Sequence, residues 1–228
     1  MTDLGQVVPG WEPRAWPERR VFKGHAISMV PADMSQAQGL FEAFSRDTQG
    51  AIWTYLPYGP FLRLADFQAW MEETLFHTDP QFYAFVCPTT HQALGLAALM
   101  RLNPEHGVVE IGHINLSPAL QKTIAATQGL YLLMHHCMDE LGYRRFEWKC
   151  NALNAASRRA AERYGFTFEG IFRQSNVFKG RNRDTAWYAF LDSDWPQIKQ
   201  GFETWLQPSN FDRAGRQRKT LSQCRQAL

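Results

Sequence analysis

The strongest constraint on this 228-residue chain is a change of hydrophobic period near its middle. Phe82–Cys87, Ala93–Arg101 and Val108–Leu116 read as three successive strands, joined by turns at Pro88–His91 and Asn103–Gly107. Leu130, Leu133, Met134, Cys137, Met138 and Leu141 then recur at offsets 0, 3, 4, 7, 8 and 11, the spacing of one helix face. Gly142 follows where a helix C′ glycine belongs, and Tyr143–Cys150 returns to a strand pattern. Three meandering strands followed by helix, strand and helix predict an α/β chain with a mixed sheet and helices on its faces.

The flanking segments extend this order. Ala26–Val30 reads as a short strand, and Asp33 with Gln36 forms a capping-box pattern opening a helix through about Arg46. Trp53–Phe61 is an aromatic loop interrupted by Pro57, Gly59 and Pro60; a second helix follows over about Leu64–His77. Asn154–Arg163 reads as a short helix, with closing strands near Phe168–Val177 and Thr185–Asp192. The predicted order is β-α-α-β-β-β-α-β-α-β-β.

Composition excludes several classes. Hydrophobic residues make up 45% and charged residues 20%, which is incompatible with disorder. No apolar run approaches the ~20 residues of a membrane span, and the start lacks the pattern of a secretory signal. The 24 Lys and Arg against 22 Asp and Glu give no case for nucleic acid or an anionic membrane as the main partner. Charge is uneven, however: residues 208–228 hold five cations and one carboxylate, which leaves −2 on the first 207 residues. These boundaries predict an extended arm over 1–21, docked through Trp11 and Trp16 or else a disordered leader, then a domain over 22–207 and a solvated basic tail over 208–228. Cys87, Cys137, Cys150 and Cys224 form no metal or disulfide spacing, so they read as reduced thiols in a cytoplasmic protein.

Two segments point to chemistry. The stretch from Leu116 to Met134 runs from a strand straight into a helix, which aims unbonded N–H groups and the positive end of the helix dipole at the crevice beyond the strand. With Lys122 beside it, this is an anion site in principle, although every α/β protein has such junctions. Asn154 is placed to cap the following helix through the N–H of Ala156 or Ser157.

Together these residues resemble the GNAT N-acetyltransferase superfamily and its RimJ/RimL-like branch. Gln121-Lys122-Thr123-Ile124-Ala125-Ala126 lines up with that family's pyrophosphate loop, Gln/Arg-x-x-Gly-x-Gly/Ala. Val108–Pro118 looks like its central strand, and Asn154-x-x-Ser157 followed by Gly165-Phe166 looks like its acyl-CoA asparagine and Gly-Phe pair. The resemblance covers roughly Phe22 to Trp195. It implies a GNAT fold, with mostly antiparallel strands, a splayed central parallel pair and flanking helices. It also implies acetyl transfer from acetyl-CoA to a primary amine, with no metal. Ile114, Asn115, Leu116, Gln121–Ala126 and Asn154 would then hold the cofactor.

Two departures shape the expected mechanism. Ile124 replaces the loop glycine, which a helical first turn accommodates while holding phosphates farther away. Ala161 replaces the tyrosine that many relatives use to protonate the leaving thiolate, so Ser157 becomes the acid by position, directly or through water, with a cap or solvent contact as its alternatives; Tyr164 is expected in the core. Strand alternation puts Val108, Glu110, Gly112, Ile114 and Leu116 on one face, which makes Glu110 a carboxylate in an apolar row and the candidate base. An arginine such as Arg173 is its expected partner if the role is structural. His113 falls on the opposite face and reads as packed. Trp53, Tyr55, Tyr58 and Phe61 are expected either to wall an acceptor pocket or to close the core. Arg181, Arg183 and Asp184 lie on a hairpin that is exposed by default, with acceptor contact or the second subunit of a homodimer as alternatives. The acceptor is a small-molecule or peptide amine. The alternative function is a non-catalytic acyl-CoA-binding protein that retains the fold.

Overall fold

Residues 4–226 are described in the computed structural model, and their strands form one eight-stranded sheet. The strands are β1 (Phe22–Lys23), β2 (Ser28–Pro31), β3 (Gln81–Val86), β4 (Ala93–Asn103), β5 (Val108–Leu116), β6 (Arg145–Asn151), β7 (Thr167–Phe178) and β8 (Arg181–Leu191). Their spatial order is β1-β2-β3-β4-β5-β6-β8-β7; every pair is antiparallel except β5–β6. This is the mostly antiparallel sheet with one central parallel pair expected from the sequence. The parallel pair needs a crossover, which the helix between β5 and β6 provides.

Helices α1 (Ala37–Ser45), α2 (Leu64–Leu75), α3 (Ile124–His135) and α4 (Ala155–Tyr164) occupy the predicted segments. The Asp33–Gln36 capping box forms as read, opening a 3-10 turn that leads into α1. The sheet separates two cores. One, including Phe44, Trp53, Phe67, Phe82 and Leu96, lies under α1 and α2. The larger, including Phe85, Ile111, Leu130, Met134, Phe146 and Tyr188, lies under α3 and α4. Gly129 permits the close approach of α3: a Cβ there would fall 2.4 Å from the Phe85 ring. Beyond His135 the helix widens into a π turn over His136–Glu140 and ends at left-handed Gly142.

The structure adds β1 and two C-terminal helices, α5 (Trp195–Trp205) and α6 (Leu221–Gln226), to the predicted order. The signal for α5 was present: Trp195, Ile198, Phe202 and Trp205 repeat at helical spacing, and Pro196 sits in the first turn. The reading of the last segment as a solvated tail is corrected. Leu221 and Cys224 are buried, and buried Asn210 ties the segment down by donating to the carbonyls of Trp205 and Lys219, each at 3.1 Å. Arg225 reaches back to donate to the carbonyls of Glu162 and Arg163 at the end of α4. At the other end, Trp11 of the N-terminal arm donates to the Glu105 carbonyl at 3.0 Å, with Arg14 and Arg144 against its ring.

Candidate active site

β5 and β6 pair only through Val108–Arg145, Val109–Phe146 and Glu110–Glu147. Beyond Glu110 each strand keeps its outer partner, β4 or β8, and the two diverge. The V between them opens a cleft of about 1600 Å³. One end is walled by Gln121–Ala126 and α4, the other by Tyr55, Leu56, Arg101, Glu110, His113 and Arg183.

At the first end the chain turns from β5 into α3. Lys122 takes a left-handed φ of 60°, and extended Thr123 caps α3, its hydroxyl accepting from Ala126 N–H at 3.1 Å and donating to Leu120 O at 2.6 Å. The N–H groups of Ile124 and Ala125 lie in the first turn, where a helix offers no partner. Ile124 itself has no positive φ, so the strain of this loop falls on Lys122 instead. Gln121 turns its amide onto the Leu116 carbonyl at 3.0 Å. Asn115 lines the cleft at 2% exposure, with neither amide atom bonded among the described residues.

On α4, Asn154 Oδ1 accepts from Ser157 N–H at 3.1 Å, one of the two caps read from the sequence. Ser157 Oγ accepts from Trp148 Nε1 at 2.9 Å, which leaves the hydroxyl proton free to be donated. Both Asn154 and Ser157 line the cleft. Ala161 is fully buried, and Tyr164 is buried in the core, as expected, against Phe202 at a 5.9 Å ring distance.

The far end departs most from strand arithmetic. β4 and β5 slip register between Leu96–Asn115 and Ala98–Gly112, so one extra residue bulges from β5 at left-handed His113 (φ 49°). A bulge inverts side-chain parity. Glu110 therefore does not share a face with Ile114 and Leu116, which pack on the larger core, and His113 is not opposite Glu110. His113 lies on the α1–α2 side, between Tyr58 and Phe82 (5.6 and 5.1 Å between rings), with Nδ1 3.1 Å from the Tyr58 hydroxyl. Burial pushes its pKa down to about 4, so the imidazole is neutral at neutral pH.

Glu110 is 4% exposed, and its partners are Lys149 at 2.9 Å and Arg101 at 3.3 Å rather than Arg173. Lys149 also pairs with Glu147 at 2.6 Å and stands 3.8 Å over the Trp187 ring; Glu147 pairs in turn with Arg145 at 2.7 Å. Burial raises the Glu110 pKa, with Lys149 opposing the shift. Sequence periodicity could not supply these partners, because β4, β5 and β6 bring them from separate segments.

The aromatic loop divides. Tyr55 lines the cleft and donates to the Leu153 carbonyl at 3.2 Å. Trp53 does not line it: Trp53 is buried in the smaller core against Phe44 and Phe61, and a Cβ on Gly59 would fall 2.5 Å from its ring. Phe61 also packs on that core, and Tyr58 reaches the cleft only through His113. Three of the four aromatics therefore close the core, because the loop folds its rings onto α1 and α2. Lys179, at the turn between β7 and β8, fastens that hairpin onto the loop through the carbonyls of Trp53 and Gly59 (3.0 and 3.3 Å). The hairpin is thus not wholly exposed, and Arg183 enters the cleft wall.

Residues 28–167 match a family model described as an acetyltransferase (GNAT) domain. The chain is 31% identical over 103 residues to a ribosomal-protein-serine acetyltransferase of Escherichia coli (strain K12), covering 45% of this chain and 57% of that protein. The match thus spans little more than half the length of that curated relative. Among solved structures, a GCN5-related N-acetyltransferase from Brucella melitensis superposes with a TM-score of 0.94 at 44% identity, covering 96% of this chain and 100% of that one. A probable GNAT-family acetyltransferase from Chromobacterium violaceum ATCC 12472 gives a TM-score of 0.79 at 38% identity, covering 86% and 98% of the respective chains.

Proposed function

The chain belongs to the GNAT acetyltransferase family, and from that premise we propose that it transfers an acetyl group from acetyl-CoA to a primary amine by direct attack on the thioester. The observation that carries this reading is the splay of β5 from β6 beyond Glu110, with unbonded helix N–H groups at one end of the cleft and a buried carboxylate at the other.

The residues fit the donor. Asn115 offers a buried amide without a hydrogen-bond partner among the described residues, and the first turn of α3 offers N–H groups beside Lys122, a cradle suited to a pyrophosphate. Gln121–Ala126 and Asn154 would hold the nucleotide and pantetheine, with Ile114 to Leu116 along the strand edge. Acetyl-CoA supplies an acyl group activated as a thioester. Glu110, kept partly protonatable by burial, takes the proton that the ammonium form of the acceptor must lose. Ile114, next to the bulged residue and lining the cleft, would offer its N–H to the carbonyl oxygen as charge develops there. Ser157, its oxygen held by Trp148, donates its proton to the departing sulfur.

The acceptor is a small-molecule or peptide amine admitted past Tyr55 and Leu56. Among the described residues no helix is long and apolar enough to cross a membrane. A cytoplasmic setting fits four cysteines that are all free thiols.

Release of free thiol from acetyl-CoA in the presence of a panel of primary amines tests the reading, alongside a thermal shift with CoA. Thiol release with at least one amine is expected. Stabilisation by CoA without thiol release for any amine would instead support a non-catalytic acyl-CoA-binding protein.

A further inference from the structure

Arg183 is the unusual residue of the acceptor end. It is half-buried in the cleft wall, its Nε has no hydrogen-bond partner, and no carboxylate lies within ion-pair distance among the described residues. Its guanidinium carbon stands 5.5 Å from the centroid of the Phe178 ring. Desolvation lowers its pKa, and Glu110, beyond ion-pair distance, opposes that shift only in part. Buried charge without a partner is costly and therefore uncommon.

The surrounding charges do not compensate it. Glu110 is already shared by Lys149 and Arg101, and Glu147 by Lys149 and Arg145, which also pairs with Glu169. Four cations thus face three carboxylates. Arg101 is held in place because Asp79 accepts from its N–H and that of Leu102, each at 2.9 Å. Behind Arg183 on the same face of β8, Thr185 Oγ1 and Trp187 Nε1 are also buried without partners. Once Glu110 takes the acceptor's proton, a second positive charge is uncovered.

Resting on the acetyltransferase reading, we propose that Arg183 binds a carboxylate carried by the acceptor close to its amine, with Arg101 at the same mouth. The planar guanidinium fork suits a two-oxygen acceptor. The carboxylate belongs either to the main chain of a free amino acid or to an acidic side chain near the N-terminus of a peptide. The same field disfavours polyamines and other polycationic acceptors.

The test compares three acceptor pairs on the full-length protein and on Arg183→Gln and Arg183→Lys. The pairs are an amino acid and its amide, a tripeptide with Glu or Gln at its second position, and a monoamine with a polyamine. Wild type should favour one of the two carboxylate acceptors over its amide partner by about 10- to 100-fold in kcat/KM, the scale of a hydrogen bond to a charged group. Which pair shows the preference identifies the source of the carboxylate. R183Q should abolish the preference and R183K restore part of it, with the KM for acetyl-CoA unchanged. Binding gives a readout without turnover: in at least one of the two carboxylate–amide pairs, the N-acetylated acid should raise the melting temperature of wild type more than its amide partner does, and this difference should vanish in R183Q. Equal binding of acid and amide in both pairs, a preference that survives R183Q, or a polyamine as the best acceptor would each overturn the inference. A binding difference without turnover on any amine would overturn the acetyltransferase reading and leave the carboxylate site standing.

Discussion

Lys149 Nζ lies 2.9 Å from Glu110 Oε2, joining the last paired residue of β5 to the strand that then diverges from it. The contact sets two opposing effects on one carboxylate. Burial favours the protonated acid, and the ammonium favours the carboxylate. Burial prevails, so Glu110 holds its proton to higher pH than an exposed glutamate does.

Glu110→Gln should lower kcat by about 10²- to 10⁴-fold, the usual share of a general base, and leave acetyl-CoA binding within about twofold. In wild type kcat should fall as pH drops through the raised Glu110 pKa, and this acid limb should be missing from the variant. A pH–rate profile that is identical in the two proteins would remove Glu110 from the mechanism.

Ser157→Ala should slow turnover by about tenfold with acetyl-CoA. The loss should shrink with an acyl donor whose thiol is more acidic, because such a sulfur leaves without being protonated. Trp148 Nε1 loses its acceptor in the variant, so a stability loss of about 1–2 kcal/mol is expected as well. An equal loss with both donors would mean that the hydroxyl is structural only.

His113 carries a pKa pushed down to about 4 from an ordinary 6.5, so the folded protein binds this proton less readily than the unfolded chain. The stability it contributes is complete above about pH 6.5 and is lost as pH falls toward 4, by up to about 3 kcal/mol. Urea midpoints measured across that window should fall in wild type and fall less in His113→Gln. Parallel pH curves for the two proteins would contradict the assignment.

Arg225→Ala should destabilise the protein by about 1–3 kcal/mol, since the Glu162 and Arg163 carbonyls at the end of α4 lose a charged donor. It should also loosen α4, seen as faster amide exchange in residues 155–164. Unchanged melting and exchange would return the C-terminal segment to the status of a solvated tail.

Much of this was legible in the chain itself. The 82–116 meander, the helix face from Leu130 to Leu141, the Asp33–Gln36 box and the Asn154 cap are relations among residues a few positions apart, and the fold keeps all of them. The strand-to-helix junction at Leu116–Ala126 was equally visible, and it borders the cleft. Residues 195–205 carry a helical period of their own, with Trp195, Ile198, Phe202 and Trp205 on the buried face.

What could not be read was long-range. One bulged residue at His113 reverses the facing of β5 beyond it, and its cause is the register against β4, not anything in β5 alone. The partners of Glu110 come from β4 and β6, the aromatic loop collapses onto helices that precede and follow it, and the basic C-terminal segment is packed down by Asn210 and Arg225. The sequence by itself determined which segments are strands and helices and where their caps fall, because local backbone preference and side-chain period depend on near neighbours. Only the tertiary structure decided which charges remain paired and that Arg183 does not, because counter-ions and burial are set by contacts between residues far apart in the chain.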